Sequence, residues 1–181
     1  MTLVEWAYEV SQAKLAEPLP RRWAHVQGVA ARAREVASAV GDDAALLEAA
    51  AVLHDVGYAP DLATTGFHPL DGARYLEQID APDRLIHLVA HHSYAALEAE
   101  LRGLADELAD YKDEGTATRD ALWCCDLTTT PDGEATDARD RIAEIKQRYG
   151  PGDLVTTFIT NASPELLAAV DQTWTRVRQA S

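Results

Sequence analysis

Residues 49–57, AAAVLHDVG, put a histidine directly before an aspartate at the end of a segment of small apolar residues. At helical spacing His54 shares a face with Leu46, Leu47 and Ala50, so its imidazole enters the interior with the apolar stripe. Asp55 follows into the same dry surroundings, where an ionised carboxylate is costly unless it is paired or binds a cation. The pair lies at the C-terminal end of a core helix, where the helix dipole favours positive charge, and it therefore predicts a cation site.

The rest of the chain reads as helices around this one. Residues 3–17 form an amphipathic helix stopped by Pro18 and Pro20, and a second runs from about Arg21 to Val40, with Gly41 as its stop. His25 lies at the edge of that second helix's valine-rich stripe and can face inward. Asp42 caps the third helix, which ends at Gly57. After a loop over 58–67, HPLDGARYL starts a fourth helix with His68 at the cap and Pro69 at N1. Pro82 opens a fifth, DRLIHLVAHH, and 94–111 continue as helix, re-aimed near the paired histidines. In a helix over 119–129, Asp126 follows Leu122 by four and Trp123 by three, and so points towards the core. The loop TTTPDGEATD comes next, followed by helices near 137–148 and 164–179, with LVTTFIT between them open to helix or strand. The expectation is a single all-α domain of eight to ten helices over 1–181, with its motif-bearing core at about 20–130 and a C-terminal extension at 131–181.

Composition narrows the function classes. Hydrophobic residues make up 47% of the 181-residue chain and charged residues 25%, as in ordinary globular domains, which argues against disorder. No apolar run approaches the length of a membrane span and the N-terminus lacks a signal-peptide pattern, so no membrane partner and a cytoplasmic location are expected. A net charge of −14, from 30 acidic and 16 basic residues, disfavours duplex nucleic acid. A small anionic substrate stays compatible if a metal and a few arginines neutralise it locally. Cys124 and Cys125 are adjacent and poorly placed to bridge each other, so buried reduced thiols are expected. A homo-oligomer is compatible with the sequence.

Five of the six histidines fall between 54 and 92, and the sixth is His25. His25, His54, Asp55 and Asp126 can supply three or four N/O ligands to one divalent metal, and His68 with His91 or His92 can complete a second position. With no cysteine in the set, Mn, Fe, Co, Ni, Mg and Zn all fit.

The ordered segments RRWAHVQGVA, AAAVLHDVGY, the paired histidines and WCCDLT together resemble the HD-domain superfamily of metal-dependent phosphohydrolases. Its pattern of His, His-Asp and a late Asp is matched by His25, His54, Asp55 and Asp126, and His68 with His91 or His92 resembles the extended form that holds two metals. The last fifty or so residues carry no motif of that family. His91 is the preferred second-site ligand because the family histidine follows an apolar turn such as LVA, while His92 stays open and His87 is read as structural. The glycine-rich sequence that marks the cyclic-dinucleotide branch is absent after the doublet.

The resemblance implies hydrolysis of a nucleotide or another small phosphorylated metabolite, with His54 and Asp55 at the catalytic centre. On metal one it implies His25, His54 and Asp126, with Asp55 bridging, and on metal two His68 with His91 or His92. Arg22, one turn before His25, and Arg74, two turns after His68, are candidate phosphate contacts. Asp71, Ser93, Thr128 and Thr129 are candidate pocket residues. A di-iron oxygenase of the same superfamily and a non-catalytic ligand sensor are the alternatives.

Overall fold

The computed structural model describes residues 1–180, which form ten α-helices and no β-strand. They are α1 (Leu3–Leu15), α2 (Pro20–Glu35), α3 (Ala44–Leu53), α4 (His68–Gln78), α5 (Asp83–Ala90), α6 (Ala95–Arg102), α7 (Ala105–Leu108), α8 (Ala117–Leu127), α9 (Ala138–Tyr149) and α10 (Leu154–Ala180). The all-α expectation and its helix count are met. Among the described residues, no helix is long and apolar enough to cross a membrane.

The segment AALLEAAAVL explains the centre of the fold. Apart from Glu48, which pairs with Arg34 at the surface edge, α3 is apolar on every side, and such a helix is stable only when largely surrounded. It packs against α1, α2, α5 and α8, and Leu47 and 49–53 are buried. One apolar core gathers around α3, and a second, built from Trp123, Leu127, Ile142, Phe158, Ile159 and Leu166 among others, joins α8, α9 and α10.

Several boundaries differ from the sequence expectation. The second helix stops at Glu35 rather than Val40, and short 3-10 turns over 37–39 and 41–43 lead into α3. The third helix stops at Leu53, so His54 and Asp55 lie in the turn beyond it. Residues 94–111 do not form one helix, because Gly103 at φ +71 caps α6 in the left-handed region and starts a separate turn of helix. At the C-terminus LVTTFIT is helical and runs unbroken through Pro164 into α10. Proline removes one helical hydrogen bond there, but burial of Phe158, Ile159 and Ala162 against the second core holds the first turns in line.

Candidate metal centre

Helix ends supply most of the site. His25 sits inside α2, His54 and Asp55 just past α3, His68 at the start of α4, His92 just past α5, and Asp126 in the last turn of α8. Backbone carbonyls fix three of the imidazoles, two of them from the preceding turn and the third from the loop after α8. Val89, Ala51 and Thr130 offer carbonyl oxygens to Nδ1 of His92 (2.6 Å), His54 (2.7 Å) and His25 (2.9 Å). A carbonyl only accepts, so each Nδ1 carries a hydrogen, and in the neutral imidazole each Nε2 presents its lone pair to the centre.

These nitrogens meet carboxylates. His25 Nε2 is 3.1 Å from Asp126 Oδ1 and 3.8 Å from Asp55 Oδ2. His54 Nε2 is 3.4 Å from Asp55 Oδ1 and 3.6 Å from Asp126 Oδ1. His68 Nε2 lies 3.3 Å from Asp55 Oδ1 and 3.0 Å from His92 Nε2. Lone-pair nitrogens facing carboxylate oxygens are acceptors opposed to acceptors, an arrangement that requires a proton or a metal cation between them. His54 Nε2 is buried without a hydrogen-bond partner, as a nitrogen reserved for a cation would be.

Charge is shared unevenly across the cluster. Burial disfavours a charged His54, yet Asp55 and Asp126 outweigh it and raise its pKa to about 9. Burial, together with the neighbouring His54 and His68, lowers His92 to about 3. Asp55 is pushed up by burial but held well below the usual carboxylate range by His54, Arg22 and the hydrogen bond from His68. Asp126 is held down in the same way by His54 and His25.

Two groups of donors have their ligand atoms within 4.8 Å of one another: His25, His54 and Asp126, and His54, Asp55 and His92. Imidazole with carboxylate is a borderline-to-hard donor set suited to a divalent first-row ion or Mg. The residues present therefore fit a metal; His54 is common to both groups, and His68 Nε2 lies beside the second, 3.3 Å from Asp55 Oδ1.

A profile of the HD domain matches residues 22–145, well over half of the chain. The chain belongs to the HD-domain family. Members of the superfamily are mostly metal-dependent hydrolases, and the matched range includes His25, His54, Asp55, His68, His92 and Asp126. No curated protein and no solved structure matches the chain. The match ends within α9, so most of the C-terminal extension lies outside the shared HD domain.

Not every candidate residue reaches the site. His91, the preferred second-site ligand, turns away, with its Nε2 2.9 Å from the Tyr111 carbonyl oxygen. The backbone leaves the helix at His91 (φ −110°, ψ 17°), so consecutive histidines project in different directions and His92 takes the inward one. Arg74 is also misplaced: it pairs with Glu107 on the surface. Six residues past His68 a helix has turned by about 600°, which carries Arg74 away from the ligand face. Asp71 is buried but accepts hydrogen bonds from Thr64 and Thr65, fixing the loop before α4. The hydroxyls of Thr128 and Thr129 donate to the carbonyls of Cys124 and Cys125, both 2.7 Å. His87 faces the Tyr111 ring, away from the centre. Both cysteines are free and buried, and burial pushes the Cys124 thiol up to about 11.

Arg22 and Ser93 do line the cleft above the cluster. The Arg22 guanidinium donates to Asp55 Oδ2 at 2.6 Å. Ser93 donates its hydroxyl to Asp126 Oδ2 from a left-handed backbone (φ +49°), and Tyr94 repeats that conformation at φ +58°. Two successive non-glycine residues there are strained, and strain of this kind gathers at functional sites. Sequence reasoning missed Tyr58, whose ring stacks on His68 (centroids 4.0 Å apart, 17° between planes) and lies 4.0 Å from the Arg22 guanidinium carbon. The aromatic next to HDVG was the available signal.

Proposed function

We propose that this HD domain is a metal-dependent phosphohydrolase that cleaves the phosphoester of a nucleotide or another small phosphorylated metabolite. The observation that carries this reading is the convergence of three Nε2 lone pairs and two carboxylates at the floor of an arginine-lined cleft. His25, His54 and Asp126 would hold one ion and His68 with His92 a second, with Asp55 between them.

A bound divalent cation supplies Lewis acidity towards a phosphoryl oxygen and towards an attacking water. The chain's own residues set the rest. Asp55 is kept ionised by Arg22 and His54, so it is ready to ligate and to orient a water by accepting its hydrogen. Arg22 keeps one donor on Asp55 and offers its remaining N–H groups to a phosphate in the cleft, where planar guanidinium geometry suits phosphoryl oxygens. Ser93 orients Asp126, and Tyr58 fixes the planes of His68 and Arg22. A bound cation together with Arg22 would offset the repulsion that a chain of net charge −14 exerts on an anion.

The test is metal analysis of purified protein, then a phosphate-release screen with Mn, Co, Ni and Mg across nucleotides and sugar phosphates. Expected is metal-dependent release that Asp55→Ala abolishes while its far-UV circular dichroism stays helical. Retained turnover in Asp55→Ala overturns the assignment, as does oxygen uptake with no phosphate release from any ester.

A further inference from the structure

The cleft above the metal centre is lined by two chemically different sets of side chains. Its volume is about 300 Å3, the low end of the range for ligand pockets. One set is the His/Asp floor with Arg22. The other comes from α10, which contributes Val155, Phe158, Ile159 and Leu166 to the lining, none of which has a side-chain donor or acceptor. Arg102, Arg141 and Arg148 also line the cavity, but Arg102 pairs with Glu98 and the other two with Glu144, which leaves Arg22 as the cation at the floor.

We propose that the cleft selects phosphoesters whose other half is a compact apolar or aromatic body, which α10 grips while the phosphate lies on the floor. This assignment rests on the chain acting on phosphoesters and narrows which ones. Arg22 suits an anion and, with the ligand cluster, places it at the floor. Beyond the phosphate, a polyhydroxylated body laid against α10 would meet a wall of side chains that return no hydrogen bonds, a loss of about tenfold in affinity for each hydroxyl left without a partner. A hydrocarbon or aryl body meets the opposite situation, because the same wall removes its surface from water. The wall also belongs to this chain in particular. Val155, Phe158, Ile159 and Leu166 all lie beyond residue 145, where the HD-domain match ends, so selectivity would be set by α10 and not by the shared motif.

Two phosphonates that cannot be hydrolysed separate binding from turnover: 1-naphthylmethylphosphonate and methylphosphonate, titrated calorimetrically into the metal-loaded full chain. The naphthyl compound is expected to bind at least about tenfold more tightly. Phe158→Ala should reduce that ratio to below about threefold and leave the methylphosphonate Kd unchanged. Because Phe158 also packs in the second core, Val155→Asn, at a half-buried position on the same wall, provides an independent variant with a circular dichroism control. Equal affinity for the two phosphonates overturns the proposal, and so does a ratio untouched by both variants. Turnover of 1-naphthyl phosphate and glycerol phosphate completes the comparison. Tight, wall-dependent naphthyl binding without hydrolysis of either ester keeps the selectivity and removes the phosphohydrolase reading. Efficient hydrolysis of glycerol phosphate with no naphthyl preference does the reverse.

Discussion

His25 Nε2 lies 3.1 Å from Asp126 Oδ1 although 101 residues of chain separate them. The contact joins α2 to the end of α8 and places both side chains beside the central doublet. His25→Ala and Asp126→Asn should each lower bound metal at least about tenfold, since ligand loss exceeds the 10–100-fold range typical of outer-sphere changes. Metal analysis after gel filtration reads the loss, and full metal content in either variant would detach these residues from the site.

That contact was legible in the sequence for a physical reason. His25 lies four residues before Val29 and Asp126 four after Leu122, so helical periodicity lets both face inward. Helical spacing gave no help at His91 and His92, because the chain leaves the helix there and enters two successive left-handed residues that no glycine announces. Arg74 is a different case, since its rotation away from His68 could have been worked out from the helical repeat. The continuity of α10 through Pro164 was not legible because proline argues for a boundary, and only packing of Phe158 and Ile159 against α8 and α9 overrides it.

Close backbone approach makes two glycines sensitive. A Cβ at Gly57 would overlap the His68 carbonyl and the Gly72 nitrogen, and one at Gly28 would overlap the backbone of Gly133. The first contact seats α4, which carries His68, and the second seats the loop whose Thr130 carbonyl holds His25. Gly57→Ala and Gly28→Ala should each destabilise the fold by about 1–3 kcal/mol, the cost of overpacking. Urea denaturation with unchanged m-values measures it, and a loss below about 0.5 kcal/mol would show that the backbones can part freely.

Tyr58 acts as a positioning residue through its ring. Tyr58→Leu removes the stack on His68 and the face beneath Arg22, and should raise KM for a phosphoester about five- to tenfold. Tyr58→Phe keeps the ring and should restore KM to within about twofold. If leucine and phenylalanine behave alike, the ring does not position Arg22.

Stability at low pH should respond to Asp43, which accepts hydrogen bonds from Arg84 and from the Thr118 hydroxyl. The hydrogen bond from Arg84, then that from Thr118, lowers the Asp43 pKa below its ordinary value. A carboxylate depressed on folding stabilises the native state above the unfolded pKa, and the gain disappears as pH falls through the folded one. Both partners are partly exposed, so Asp43→Asn should cost under about 1 kcal/mol at pH 7. Denaturation series at pH 7 and below about pH 4 should show the difference between wild type and variant shrinking towards zero. A difference that does not change with pH would mean the carboxylate is not what stabilises this contact.

Metal addition should reveal which member of the histidine doublet belongs to the centre. His54 Nε2 is a buried nitrogen without a hydrogen-bond partner, and opposed acceptors surround it, so a cation that binds the folded chain relieves both conditions at once. At a hundred times its Kd a ligand specific for the native state adds about 2.7 kcal/mol. For a chain of this length that corresponds to about 5–10 °C in Tm. Thermal scans with Mn, Co, Ni and Mg against a chelator control measure the shift. His92→Ala should shrink it by at least about half, because that imidazole contributes one of the converging lone pairs. His91→Ala should lower the baseline Tm, since it breaks the contact with the Tyr111 carbonyl, and leave the metal-induced increment unchanged. The opposite pattern, with the increment lost in His91→Ala and kept in His92→Ala, would mean that the two side chains exchange places when metal binds.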